Sequence, residues 1–136
     1  MDVLGILERY GIRPSKGSGR NFRVDEAVLQ RIVQASEAGP GDIVLEVGPG
    51  VGVVTRELAN RSATVVCVEL DRKMVAILGD TLQGMKGVHI VQGDILEIDP
   101  VEAIRRSLDM AESAPLQYKV VANLPYYITS AALRHL

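Results

Sequence analysis

The sequence predicts an α/β fold built on a parallel sheet. Four short, β-branched apolar runs are typical of strands buried on both faces: Ile43–Val47, Thr64–Leu70, Val88–Gln92 and Lys119–Leu124. Helical patterns separate them: Val53–Asn60, Arg72–Leu82 and Val101–Met110. Strands that alternate with helices imply parallel pairing and right-handed crossovers.

Three segments precede the first strand. Residues 3–10 predict a short helix closed by Gly11. Residues 12–22 are rich in Gly, Ser and basic side chains and predict a loop. Apolar residues then recur at helical spacing from Val24 to Ala38, where a Gly-Pro-Gly sequence ends the helix.

The composition indicates one globular domain, since the 136 residues are 47% hydrophobic and 24% charged. A single cysteine, Cys67, excludes a disulfide framework and is expected to be a small buried residue in its strand. The sequence has no apolar run of roughly 20 residues and no pattern of a signal peptide at its start. We therefore expect a soluble, cytoplasmic protein.

Positive charge is concentrated near the start of a chain whose net charge is −2. Five basic residues and no acid lie between positions 9 and 23: Arg9, Arg13, Lys16, Arg20 and Arg23. Taken alone, such a cluster is more typical of a solvated surface than of a nucleic-acid contact.

Glycines and acids follow the ends of the predicted strands. Gly48, Gly50 and Gly52 form a Gly-x-Gly-x-Gly turn, where the backbone can approach a ligand closely. Glu69 lies near the end of the second predicted strand, where a carboxylate can accept both ribose hydroxyls of a nucleoside. Asp94 follows the third strand, where it can accept from an adenine amino group. These positions share the sheet edge at which parallel α/β folds bind ligands.

Structural alternatives exist for these features. A single acid at a strand end usually caps a helix, as we expect for Asp71 and for Asp99 ahead of Pro100. The glycine spacing differs from the Gly-x-Gly-x-x-Gly of dinucleotide binders, which disfavours an NAD-dependent oxidoreductase. His89 and His135 form no metal-ligand set with nearby Cys or paired carboxylates, so no metal is predicted.

The fourth strand ends in Asn-Leu-Pro-Tyr, residues 123–126. With the glycine turn, Glu69 and Asp94, this set resembles the S-adenosylmethionine-dependent adenine-N6 methyltransferases. Lys16–Phe22 (KGSGRNF) is similar to the Lys-x-x-Gly-Gln-Asn-Phe-Leu motif of the rRNA adenine dimethyltransferases, which include small-subunit enzymes and macrolide-resistance methylases. The resemblance covers residues 13–136.

The resemblance implies a Rossmann-like class I methyltransferase fold, a parallel sheet with flanking helices. It divides the chain into an N-terminal helix with a basic cofactor- and RNA-facing loop, residues 1–23, and an incomplete methyltransferase domain, residues 24–136. The family's further strands and small helical C-terminal domain would follow the fourth strand, after which the domain is truncated here. We therefore expect weak or absent activity from this chain alone, and a monomer at full length.

The resemblance also implies which residues bind the cofactor, S-adenosylmethionine, and its product, S-adenosylhomocysteine. The corresponding positions are Asn21, Arg23, Gly48, Gly50, Glu69, Asp94 and Asn123. Asn21 and the backbone of residue 23 would contact the methionine end, with Gly48 beneath it. Glu69 would bind the ribose and Asp94 the adenine amino group.

The implied catalytic residues are Asn123, Leu124, Pro125 and Tyr126. The Asn123 side-chain oxygen and the Leu124 carbonyl would accept the two N6 hydrogens and aim the nitrogen lone pair at the methyl group. Pro125 would fix the turn, and Tyr126 would stack on an extruded or single-stranded base. The structural alternative is a simple turn with Tyr126 packed in the core.

Two positions depart from the family motif: Arg20 replaces the usual Gln, and Arg23 replaces the usual Leu. Arg23 costs little if that Leu acts through its backbone. Both arginines add positive charge that suits a phosphate-rich substrate. Given the resemblance, we expect RNA contacts from Lys16, Arg20 and Phe22, although Phe22 suits a core role equally well.

The expected function is transfer of methyl groups to the N6 amine of adenosines in small-subunit rRNA, giving N6,N6-dimethyladenosine during ribosome biogenesis. The expected partner is rRNA or a small-subunit precursor, with no membrane. One alternative is a large-subunit, macrolide-resistance methylase. Another is a non-catalytic RNA-binding or assembly factor on the same fold, which the Asn-Leu-Pro-Tyr turn disfavours because a pure binder needs no amine-orienting turn.

Overall fold

The structure, a computed structural model, describes residues 26–122. Its elements in chain order are α1 (Glu26–Ser36), β1 (Ile43–Val47), α2 (Val53–Asn60), β2 (Thr64–Glu69), α3 (Arg72–Thr81), β3 (Val88–Gln92), α4 (Pro100–Ser107) and β4 (Lys119–Ala122). This alternation confirms the α/β prediction. Within the described range, no helix has the length and apolar character needed to cross a membrane.

The four strands form one parallel sheet in the order β3-β2-β1-β4. From β1 the chain moves outward through β2 to β3, and it then returns to the other side of β1 to form β4. The direction of winding therefore reverses between β1 and β4. In open α/β sheets, ligands bind outside the carboxyl ends of the strands at such a reversal, so the topology itself marks the region around residue 48.

Helices cover both faces of the sheet. On one face, Leu29 and Val33 of α1 and Leu58 of α2 form a core with alternate residues of the central strands: Val44, Val65 and Cys67. On the other face, Ile104 of α4 and Ile95 of the preceding loop cover the intervening strand residues: Leu45, Val47, Val66 and Val68. β1 and β2 are thus buried on both sides, which explains why their sequences are apolar without alternation.

Aspartates begin two of the helices, as the sequence indicated. The Asp71 carboxylate accepts a hydrogen bond from the Lys73 amide at 2.8 Å. The Asp99 carboxylate accepts from the amides of Val101 and Glu102, and Pro100 occupies the first turn, where its missing N–H costs nothing. Each cap satisfies helix N–H groups that have no partner inside the helix.

Some predicted boundaries differ from the structure. The helical pattern from Val101 to Met110 gives a helix that ends at Ser107, because the backbone turns into the left-handed region at Asp109, with φ 54°. The second strand ends one residue earlier than predicted, at Glu69, and the predicted start of the first helix at Val24 lies outside the described residues.

The start of β4 is tied to the loop that follows α1. Lys119 Nζ donates to the Glu37 carbonyl at 2.9 Å and forms an ion pair with Asp42 Oδ2 at 3.3 Å. Asp42 also accepts from the Gly39 amide at 2.9 Å. The Gly39 N–H, followed by Lys119, holds the pKa of Asp42 below its usual value. These contacts anchor β4 at the end opposite to its carboxyl end.

Candidate active site

Three of the predicted site positions lie side by side along the carboxyl edge of the sheet. Gly48 follows β1, Glu69 ends β2, and Asp94 comes two residues after β3. Backbone hydrogen bonds join neighbouring strand ends here, since the Gly48 amide donates to Val68 O at 3.2 Å and the Gly93 amide donates to Glu69 O at 3.0 Å. The end of β1 at this edge lies beside the reversal of winding between β1 and β4.

The glycine turn is held by its backbone conformation. Gly48, Gly50 and Gly52 have φ values of 69°, 59° and 88°, which side chains rarely permit. A Cβ on Gly52 would also stand 3.1 Å from methyl groups of Leu78 and Leu82, so this glycine is needed for packing on α3 as well. A Cβ on Gly50 would meet nothing within 4 Å among the described residues. The Gly50 side of the turn is therefore open with respect to the described residues.

Glu69 offers one carboxylate oxygen to a ligand. Its Oε2 accepts from the Asp71 amide at 2.9 Å, which folds the side chain over the strand end. No donor within residues 26–122 binds its Oε1. A half-buried carboxylate with an available acceptor suits a hydroxyl donor such as those of a ribose.

Asp94 both caps a turn and faces the site edge. Its Oδ1 accepts from the Leu96 amide at 2.9 Å. One oxygen of Asp94 therefore has the capping role that the structural alternative predicted for an acid at a strand end. The second oxygen, Oδ2, receives no hydrogen bond from the described part of the chain. An acid can cap with one oxygen and accept from an amino group with the other. The free oxygens of Glu69 and Asp94 therefore fit the adenosine part of S-adenosylmethionine. The open turn at Gly50 would let the backbone approach the cofactor closely.

Leu70 is an exposed apolar residue beside the candidate site that the sequence analysis did not single out. It is 64% exposed, between Glu69 and Asp71, where the sequence predicted the last buried residue of a strand. An exposed leucine at a ligand-binding edge offers an apolar surface that a flat ring can cover. The sequence contains one signal for this exposure, because Leu70 is an apolar residue between two acids at the end of a strand.

A buried polar cluster lies directly beneath the glycine turn. Glu46, the penultimate residue of β1, is 2% exposed. Its Oε1 accepts from the hydroxyl of Thr55 in α2 and from the thiol of Cys67 in β2, the latter at 3.7 Å. Sequence reasoning assigned no role to Glu46 or Thr55, although an acid inside an otherwise apolar strand is itself a signal.

Burial governs the ionisation of this cluster. Loss of hydration raises the pKa of Glu46 to about 7, against the opposing effect of the hydrogen bonds from Thr55 and Cys67. Burial, followed by the charge of Glu46, raises the pKa of the Cys67 thiol well above its usual value. Cys67 is therefore buried as predicted, remains a thiol at neutral pH, and serves as a weak donor rather than as a purely apolar residue.

The remaining predicted site residues lie outside the described residues: Lys16, Arg20, Asn21, Phe22, Arg23, Asn123, Leu124, Pro125 and Tyr126. The described part of β4 ends at Ala122, which immediately precedes Asn123 in sequence. Between residues 26 and 122, no group of three or more His, Cys, Asp or Glu side chains is arranged to hold a metal ion.

Curated relatives match almost the whole chain. The chain is 44% identical over 134 residues to the ribosomal RNA small subunit methyltransferase A of Moorella thermoacetica, covering 98% of this chain and 46% of the relative. The enzyme of the same name from Dehalococcoides mccartyi is 42% identical over 129 residues, or 95% of this chain and 42% of the relative. The chain thus spans a little under half the length of the curated relatives it matches.

Solved structures agree with the fold. The 23S rRNA methyltransferase ErmE is 35% identical, with a TM-score of 0.66 over 84% of this chain and 41% of that chain. A dimethyladenosine transferase from Plasmodium falciparum is 23% identical and shares the fold, with a TM-score of 0.61 over 81% of this chain and 36% of that chain. The expected Rossmann-like methyltransferase fold is therefore confirmed.

A profile of the ribosomal RNA adenine dimethylase family matches residues 13–136, which include the glycine turn, both edge carboxylates and the Asn-Leu-Pro-Tyr sequence. The match extends over more than half of the chain. The chain therefore belongs to the ribosomal RNA adenine dimethylase family.

Proposed function

We propose that the full-length protein transfers methyl groups from S-adenosylmethionine to the N6 amine of adenosines in small-subunit rRNA and forms N6,N6-dimethyladenosine. The observation that carries this proposal is the alignment of Gly48, Glu69 and Asp94 on one sheet edge, in a chain of this family. The curated relatives that match the chain are small-subunit rRNA methyltransferases, which supports the choice of subunit.

The cofactor contacts follow from the acceptors at the edge. Glu69 Oε1 accepts from a ribose hydroxyl, while its Oε2 keeps the hydrogen bond from the Asp71 amide. Asp94 Oδ2 accepts from the adenine amino group, and Leu70 covers one face of the ring. Gly48 and Gly50 let the backbone pass under the methionine end, where Asn21 and the backbone of residue 23 complete the contacts.

The transfer step needs orientation more than a strong base. When bound, S-adenosylmethionine supplies a methyl group on a positively charged sulfur, which is a strong electrophile. The N6 amine is a weak nucleophile because its lone pair is delocalised into the purine. Asn123 and the Leu124 carbonyl accept the N6 hydrogens and direct the lone pair, Pro125 fixes their turn, and Tyr126 stacks on the base. Such positioning supplies a large share of the rate enhancement in bimolecular transfers.

Substrate binding places RNA at the same edge of the sheet. The basic residues Lys16, Arg20 and Arg23, with Phe22, precede the domain and supply phosphate and base contacts. Ionic contacts of this kind weaken as salt rises. A paired adenosine must leave its stack to reach the amine-orienting turn, so single-stranded or distorted rRNA is the preferred substrate.

The test is methylation of rRNA by the full-length protein, followed by mass mapping of dimethyladenosine. Unmodified small-subunit and large-subunit rRNA are supplied in parallel, each as naked RNA and as subunit precursor. Dimethyladenosine confined to small-subunit rRNA supports the proposal. Modification of large-subunit rRNA instead establishes the second candidate, a macrolide-resistance type of methylase, which the 35% identity to ErmE favours. RNA binding without any methylation refutes both and leaves the assembly factor.

A further inference from the structure

Glu46 occupies a central position in the framework of the site. It comes two residues before Gly48, and it is the register partner of Cys67, which comes two residues before Glu69. Its carboxyl also accepts from Thr55, in the first turn of the helix that follows the glycine turn. One buried carboxyl thus connects both sides of the glycine turn to the strand that carries Glu69.

Among residues 26–122, the groups facing Glu46 leave a charge on it uncompensated. β2 presents Cys67 and, further along the same face at the edge, the carboxylate of Glu69. α2 presents the Thr55 hydroxyl, β4 presents Val121 as the register partner of Glu46, and α1 contributes apolar side chains to this face. Neither ion pair recorded between described residues includes Glu46.

The nearest cation on this face of β4 is already engaged elsewhere. Lys119 lies two residues before Val121 and binds the Glu37 carbonyl and Asp42 at the opposite end of the strand. On α2, the Arg56 guanidinium points to the Thr81 carbonyl at 3.5 Å. A positive charge that arrives at the carboxyl edge therefore meets a buried carboxyl that no described cation neutralises.

We propose that Glu46 senses the charge of the bound cofactor, giving up its proton to solvent more completely when cationic S-adenosylmethionine binds than when S-adenosylhomocysteine binds. This inference rests on the proposed function, since it requires the methionine end to lie at the glycine turn. It assigns to Glu46 a role in discriminating the methyl donor from the demethylated product.

Both ligands carry the α-ammonium and the α-carboxylate of the methionine end, so their charges differ only at the sulfur. S-adenosylmethionine carries a sulfonium cation, and S-adenosylhomocysteine has a neutral thioether in its place. A nearby cation favours the ionised form of a carboxyl, and burial reduces screening of that interaction. At pH 7 about half of the Glu46 side chains hold a proton before binding, since the pKa of the group is about 7. Because the bound sulfonium lowers this pKa, the two ligands should differ most in proton release somewhat below pH 7.

The consequence is a pH-dependent preference for the donor. Affinity for S-adenosylmethionine is expected to rise by up to about tenfold between pH 6 and pH 8.5, because release of one proton from a group with a pKa of about 7 can change affinity by no more than this over that range. Affinity for S-adenosylhomocysteine should rise less over the same range, because its sulfur is neutral. Since dimethylation needs one cofactor exchange between two transfers, a carboxylate that favours donor over product assists that exchange.

The test is isothermal titration calorimetry of the full-length protein with each ligand, from pH 6 to pH 8.5, in two buffers of different ionisation enthalpy. The difference between buffers gives the number of protons released on binding. Wild type is compared with Glu46→Gln, which keeps an oxygen acceptor for Thr55 and cannot ionise. Glu57→Gln, on the same helix as Thr55, is the matched control for removal of a carboxylate.

Greater proton release with S-adenosylmethionine than with S-adenosylhomocysteine in wild type and Glu57→Gln, abolished in Glu46→Gln, supports the proposal. Equal release for the two ligands, or a difference that persists in Glu46→Gln, overturns it and leaves the proposed function intact. Failure of both ligands to bind wild type overturns the proposed function and this inference with it.

A second variant keeps the inference testable if Glu46→Gln does not fold. Thr55→Val removes the hydroxyl whose hydrogen bond lowers the pKa of Glu46, so the pH of greatest proton release should move upward. An unchanged pH of greatest release in Thr55→Val overturns the assignment to Glu46. A shift upward supports it, because a purely structural role for Thr55 would change affinity without moving that pH.

Discussion

Replacing Glu46 with Gln should remove most of the loss of stability that Glu46 causes in wild type between pH 5 and pH 8. In wild type, burial raises the pKa of Glu46 from 4.5 to about 7, so the folded state holds this proton over a range in which the unfolded state has lost it. The stabilisation is complete below pH 4.5 and is lost as pH rises through about 7.

The magnitude follows from the difference between the two pKa values. A rise from 4.5 to about 7 corresponds to about 3 kcal/mol of unfolding free energy. Wild type should therefore be less stable at pH 8 than at pH 5 by roughly this amount from this group. An amide in place of the carboxyl keeps an acceptor for Thr55 and removes the proton equilibrium, so the variant should lose this component.

The assay is urea unfolding of ligand-free protein at pH 5, 6, 7 and 8, with Glu57→Gln as the control that should retain the wild-type slope. The quantity compared is the change in unfolding free energy with pH, because the absolute stability of the variant also reflects packing. A Glu46→Gln variant with the same loss of stability from pH 5 to pH 8 as wild type would refute the assignment of a raised pKa to Glu46.

Three further outcomes are expected. Glu69→Ala should weaken S-adenosylhomocysteine binding about tenfold or more in calorimetry, which is the range for a hydrogen bond to a charged group. Glu69→Gln keeps an acceptor for the Asp71 amide and should also bind this ligand weakly. Wild-type affinity in both variants would remove Glu69 from the site. Asn123→Ala should keep cofactor affinity and lose methyl transfer to rRNA, so wild-type turnover would exclude Asn123 from the mechanism. Asp99→Ala should lower the unfolding free energy by about 1 kcal/mol through loss of a helix cap, with little change in cofactor affinity, and an unchanged urea midpoint would contradict that role.

The sheet could be predicted because its central strands are buried on both faces. Ile43–Val47 and Val88–Gln92 have the predicted bounds, since continuous β-branched runs have few other solutions in an α/β protein. Helix ends were less predictable. The last turn expected up to Met110 is lost because Asp109 adopts a left-handed backbone, which the apolar periodicity does not encode.

The candidate site was predictable where it depends on residue type at a strand end. Gly48, Glu69 and Asp94 follow from the order of strands and from the chemistry of their side chains. The contribution of Glu46 depends on which side chains meet inside the fold. Its proximity to Thr55 and Cys67 arises from strand register and helix placement, so it could be found only with coordinates.

Because Cys67 is buried, chemical labelling of its thiol can report when this part of the sheet opens. It is the only cysteine in these 136 residues, it is fully buried between β1 and the helices, and its thiol is held beside Glu46. A maleimide or disulfide reagent can reach it only when this part of the sheet opens, so the labelling rate measures the opening equilibrium or the opening rate. Cofactor that binds the closed form should slow that labelling in proportion to its occupancy. The cysteine thus allows cofactor affinity to be measured by the time course of a covalent reaction, without RNA and without turnover.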